Sequence, residues 1–103
     1  MVIKSTGTEL VKACEQYLTM KGVFHYRNNS GALKTVNGGF MRFGAVGSPD
    51  IICVVKGIYV GLECKMGSGR LSEAQVAFKE RLQAVGGQYW IIRDLQDLID
   101  IGL

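Results

Sequence analysis

The longest apolar run in the chain reads PDIICVVKGIYVGLECK over residues 49–65, and it breaks once, at Lys56-Gly57. β-Branched side chains dominate both halves, so the run predicts two strands, 51–55 and 58–65, joined by a two-residue turn. Upstream, Leu10, Val11, Cys14, Tyr17 and Leu18 recur at helical spacing. Thr6-x-x-Glu9 resembles a capping box at the start of that helix, and Gly22 is a suitable stop. Residues 23–27 read as a short strand. A Gly-rich connection follows over 28–49, within which 33–43 can fold back as a minor hairpin around Asn37-Gly38-Gly39. Connections of that length in a small domain are usually functional or locally ordered. Ser72 caps a second helix running to about Val85 and ended by Gly86-Gly87. Residues 88–93 form a fourth strand, and Asp94 caps a short last helix through Ile101. The order is α-β-β-β-α-β-α. Strand, helix and strand over 58–93 imply a parallel pair with a right-handed crossover, so the sheet is mixed and the fold class is α/β.

The turn at Lys56-Gly57 fixes a register. Val55 faces Ile58, Val54 faces Tyr59, Ile52 faces Gly61, Ile51 faces Leu62, and Asp50 faces Glu63. Opposed residues share a sheet face, so alternation adds Lys65 to the side of Asp50 and Glu63 and sends Leu62 and Cys64 to the other. A bulge would shift this by one residue and separate the pair. Two opposed carboxylates destabilise a sheet, and a divalent cation would compensate. Mg²⁺ takes oxygen ligands, is usually held by one or two carboxylates, and keeps several waters or substrate phosphates. The backbone carbonyl of Cys64 lies near enough to be a further ligand. Lys65 would then orient or deprotonate a water and stabilise a pentavalent phosphate, which is the chemistry of metal-assisted phosphodiester hydrolysis. The alternative is that Asp50 and Glu63 are solvated strand ends, with Lys65 in an ordinary surface ion pair.

Composition narrows the setting. The 103 residues suit one domain spanning 1–103, and 48% hydrophobic with 20% charged residues is an ordinary globular composition. A formal charge of +3 permits a nucleic-acid partner without demanding one. No apolar segment suits a signal peptide or a membrane span. Cys14, Cys53 and Cys64 are odd in number, lie in apolar segments and show no C-x-x-C spacing. They read as buried free thiols in a reducing compartment, and hence a cytoplasmic protein in whatever cell hosts it.

Pro49-Asp50 followed by Glu63-Cys64-Lys65 resembles the PD-(D/E)xK nuclease signature. Over nearly its whole length the chain resembles the VRR-NUC (virus-type replication-repair nuclease) family. The features carrying the resemblance are Glu9, Arg27-Asn28-Asn29-Ser30-Gly31, Gly47-Ser48-Pro49-Asp50, Glu63-Cys64-Lys65 and Leu71-Ser72-x-x-Gln75. The resemblance implies a restriction-endonuclease-like αβββαβ core with a mixed central sheet flanked by helices. It also implies Mg²⁺- or Mn²⁺-dependent cutting of DNA that leaves 5′-phosphate and 3′-hydroxyl ends. Structure-selective substrates such as flaps or four-way junctions follow by the same resemblance, as do homodimers like those of small stand-alone phage nucleases.

By the same resemblance Glu9 completes the metal site, with Glu15, at the other edge of the apolar stripe, as the competing candidate. Gln75 takes a supporting catalytic role, although Ser72-x-x-Gln75 also satisfies a capping box unaided. Arg27, Asn29, Ser30 and Ser48 fall in motifs assigned to DNA contact. Arg70, before a helix N-terminus, and Lys34 and Arg42, in the Gly-rich connection, are candidate phosphate contacts or solvated loop charges. His25 reads as structural, and Phe78, Tyr89 and Trp90 as core. Two further readings stand beside the nuclease: a DNA-junction-binding module, and a nuclease subunit that cuts only with a helicase or another replication or repair partner.

Overall fold

A computed structural model describes residues 7–28 and 31–103, with side chains described outside 31–34 and 40–43. The apolar stripe of the first segment forms α1 (Gly7–Met20), which buries Leu10, Val11, Cys14 and Leu18. Thr6, the expected cap, lies outside the described residues. At the other end Gly22 adopts φ +73°. There the Gly22 N–H donates to the Thr19 carbonyl and the Val23 N–H to the Leu18 carbonyl. This Schellman closure satisfies the last carbonyls of the helix. It also occupies Val23, which is why the first strand, β1 (His25–Arg27), starts two residues later than expected.

The Gly-rich connection holds the hairpin β2 (Gly31–Lys34) and β3 (Phe40–Phe43), a separate two-stranded sheet turning through residues 35–39. β4 (Ile51–Val55) and β5 (Ile58–Cys64) then form the central hairpin. Lys56 at φ 52° and Gly57 at φ 80° give the paired left-handed conformations of a type I′ turn. α2 (Glu73–Ala84) begins with a full capping box, β6 (Gln88–Ile92) follows, and α3 (Leu95–Asp100) is capped by the Asp94 side chain.

The main sheet runs β1-β4-β5-β6, antiparallel except for the parallel β5–β6 pair, so the chain is a mixed α/β fold. One face, with Ile51, Cys53, Val60, Leu62, Cys64 and Ile92, packs with α1 and with Leu98 of α3 into the core. The other face is covered on the β6 side by α2, where the Phe78 and Tyr89 rings lie 6.0 Å apart. Cys14, Cys53 and Cys64 are all buried free thiols. Trp90 is a correction: it is 41% exposed, not core. β6 is an edge strand, so no further strand shelters it, and its indole N–H donates to the Gln88 side chain at 3.0 Å. Among the described residues no helix is long and apolar enough to cross a membrane.

Candidate active site

The β4–β5 ladder runs without a bulge from Val55↔Ile58 to Ile51↔Leu62. The next positions, one step beyond the ladder at the end of the sheet, are Asp50 and Glu63. Asp50 Oδ2 accepts the Cys64 backbone N–H at 2.8 Å, and the Asp50 carbonyl accepts the Asn28 N–H at 2.8 Å. The carboxylate therefore substitutes for a backbone acceptor where the β4 ladder ends.

Pro49 and Gly61 explain that ending. Pro49 has no N–H to continue the ladder, and its ring lies on Gly61, where a Cβ would come within 2.6 Å of Pro49 Cγ. Asn28 holds this corner: its Nδ2 donates to Ser48 Oγ at 2.8 Å and to the Pro49 carbonyl at 2.9 Å. Ser48 Oγ in turn donates to the Ala45 carbonyl at 2.7 Å. Gly47, at φ +81°, packs so closely on the first turn of α2 that a Cβ would strike the Ala74 carbonyl.

Glu63 is only 5% exposed. Lys65 Nζ lies 3.9 Å from its Oε1. The Tyr89 hydroxyl, with one proton to donate, lies 3.5 Å from Glu63 Oε2 and 3.3 Å from the Gly47 carbonyl. Burial, then the charge of Asp50 and a hydrogen bond shared with it, push the Glu63 carboxyl up to about 8, against the opposing pull of Lys65 and Tyr89. Near pH 7 Glu63 is therefore mainly protonated. A proton resolves the repulsion that the register creates, and a cation in the same place would do so too. The Cys64 thiol turns away; its hydrogen bond with Cys14 and its burial both raise its pKa.

Asp50 and Glu63 open onto a cleft of about 250 Å³, together with Arg27, Cys64 and the first turn of α1 at Gly7 and Thr8. The cleft thus brings two acids together with a guanidinium and the first turn of a 14-residue helix. It fits a divalent ion that keeps most of its coordination as water and phosphate. It does not form a protein cage, because no group of three or more His, Cys, Asp or Glu side chains suited to a metal occurs among the described residues.

The other sequence-predicted residues divide. Glu9 lines a neighbouring cleft with Met66, Arg93 and Asp94 rather than the one holding Asp50, and Glu15 lines a third with Lys12 and Thr19. On α1 it is Gly7, Thr8 and Val11 that face Asp50. Gln75 Oε1 accepts the Ser72 N–H at 2.8 Å, so its side chain closes the cap of α2. Ser48 is buried and hydrogen-bonded within its own loop. Asn29 and Ser30 lie outside the described residues, and Lys34 and Arg42 sit on the β2–β3 hairpin with side chains outside the description. Arg70 is exposed in the segment before α2. His25 Nδ1 lies 2.8 Å from the Val23 carbonyl, a local contact in keeping with a structural role.

Three residues gain roles that the sequence reading did not give them. Asn28 and Tyr89 support the corner and Glu63. Arg93 donates to the Gly67 carbonyl at 2.6 Å and the Gly69 carbonyl at 2.9 Å, clamping the segment that follows Lys65. The parallel register Glu63↔Ile91 puts Tyr89 and Arg93 on the Glu63 face, and strand alternation was the signal that could have found them. Comparison with models of known protein families gives no match for this chain, and a sequence search of curated proteins gives none either.

Proposed function

We propose that the protein is a divalent-metal-dependent DNA endonuclease, with the restriction-endonuclease-like core of the PD-(D/E)xK enzymes and a preference for branched DNA such as flaps or four-way junctions. The observation that carries this reading is the joining of Asp50 and buried Glu63 in one cleft, with Lys65 Nζ 3.9 Å from Glu63. In this reading Asp50 and Glu63 hold Mg²⁺ or Mn²⁺. The bound ion supplies Lewis-acid polarisation of a phosphoryl oxygen and activation of water. Lys65 orients the attacking water and opposes the negative charge that grows on the phosphate in the transition state. Arg27 and the first turn of α1 hold the neighbouring phosphate. Tyr89 and the Asp50–Cys64 hydrogen bond fix the two carboxyl groups in place.

The test is a cleavage panel of linear, flap and four-way-junction DNA with Mg²⁺, Mn²⁺ or EDTA. Cleavage of branched DNA that needs the metal, and is lost in Asp50→Asn and Lys65→Ala, is expected. Full activity in both variants would sink the assignment. A junction-binding module is the second reading, favoured by the absence of a third clustered ligand among the described residues; binding of branched DNA with no cut in either metal would select it. A homodimer belongs to the main proposal, and sedimentation velocity measures it.

A further inference from the structure

The sheet face that carries Asp50 and Glu63 does not end at the cleft. Tyr26 pairs with Ile52, and Val54 with Tyr59, so all four share that face. The Phe24 carbonyl accepts the Val54 N–H at 3.2 Å, which places Phe24 beside them. Phe24 is 66% exposed, Tyr26 50% and Val54 41%. Tyr59 is half-buried, its ring leaning over Gly61 toward Pro49. α2 packs against β6 at the far side of the sheet and leaves this side open. Ile52, on the same face, is only 7% exposed, so the exposed apolar surface is that of Phe24, Tyr26 and Val54, and such a patch marks a binding face.

We infer that this face stacks unpaired bases of branched DNA whose backbone lies in the Asp50–Glu63 cleft. The inference rests on the nuclease reading for the position of the backbone. Distance supports it. Ile52, opposite Tyr26, is two strand positions from Asp50, about 7 Å, or about two nucleotides at duplex spacing; Val54 is about 13 Å away, or about four. Every base has a π face, so aromatic side chains hold unpaired strands without reading sequence. Charge supports it as well. Lys56 is exposed in the turn just beyond Val54 and Tyr59, and Lys65 stands at the cleft end beside Glu63. Cations bordering aromatics complement a polyanion with flat bases.

The experiment measures binding in EDTA, where no cutting occurs. The probes are a blunt duplex and a flap carrying 2-aminopurine in its unpaired arm, two to four nucleotides from the branch. Wild-type protein should quench the 2-aminopurine and bind the flap more tightly than the duplex. Phe24→Ala and Tyr26→Ala should each weaken flap binding about ten-fold with little change for the duplex, and Tyr26→Trp should restore it. An unchanged fluorescence signal, an equal loss on both DNAs, or no loss at all would overturn the inference. Conversion of a dimer to a monomer by Phe24→Ala or Tyr26→Ala would overturn it too, because the patch would then be the contact between copies. Wild-type protein that stacks the flap but fails to cut it in Mg²⁺ or Mn²⁺ defeats the nuclease reading and leaves the stacking face standing.

Discussion

Replacing Glu63 by Gln should make the protein more stable at neutral pH. The glutamine is nearly isosteric and can still donate toward Asp50, but it cannot ionise. In the folded protein Glu63 is raised from an ordinary 4.5 to about 8, by burial first and by Asp50 second. A carboxyl raised on folding contributes its stability fully below its unfolded pKa and loses it as pH climbs through the folded one. Between pH 4.5 and 8 the unfolded chain ionises while the folded chain holds its proton, so stability falls across that window. At about 1.4 kcal/mol for each pH unit, the displacement amounts to about 5 kcal/mol. That is an upper bound, because an ionised Glu63 gains hydration from the adjoining cleft. The assay is urea denaturation in EDTA at intervals from pH 5 to 8.5. It stops there because buried Cys53 and half-buried Tyr59, pushed up to about 11 and about 12, add their own dependence in more alkaline solution. Wild-type stability should fall by several kcal/mol across the range, and the fall should be largely absent in Glu63→Gln. A flat wild-type profile, or an identical fall in the variant, would show that Glu63 is not held protonated by its surroundings.

Gly61→Ala should cost about 1–3 kcal/mol, since its Cβ would meet Pro49 Cγ at 2.6 Å and push the corner off the sheet; urea denaturation measures the loss, and the proposed nuclease activity should fall with it. Asn28→Ala removes hydrogen bonds of 2.8 and 2.9 Å to Ser48 and Pro49, should cost about 1–3 kcal/mol, and should make the 44–49 segment an early site of limited proteolysis. Mg²⁺ at 100 times its Kd should stabilise the wild type by about 2.7 kcal/mol. Asp50→Asn should lose that gain, and equal thermal shifts in the two proteins would place the ion elsewhere.

The central register was legible because a two-residue turn leaves one way to pair the strands, and Lys56-Gly57 supplies the left-handed conformations such a turn needs. The cap of α2 was legible for a similar reason: Ser72 and Gln75 satisfy each other locally. What was hidden depends on how separate elements meet. Which residues of α1 look into the cleft is decided by the tilt of the helix over the sheet, and that tilt brings Gly7, Thr8 and Val11 there and Glu9 elsewhere. Ser48 is assigned to DNA contact by resemblance, yet Asn28, 20 residues earlier, holds it by a hydrogen bond and it is buried. Trp90 has the composition of a core residue, and only its place on an edge strand leaves it exposed.

The hydrogen bond from Cys64 to Asp50 has a consequence for how this site can vary. One oxygen of the carboxylate serves as part of the β-sheet, so any shift of Asp50 also breaks a strand contact. The geometry of the acid pair is therefore no looser than that of the hydrogen-bonded ladder around it. Alanine at position 50 would remove chemistry and leave a strand N–H without its acceptor, mixing two effects in one measurement. Asparagine keeps an oxygen for the strand and withdraws only the charge, which makes Asp50→Asn the cleaner variant for testing the proposed DNA cleavage.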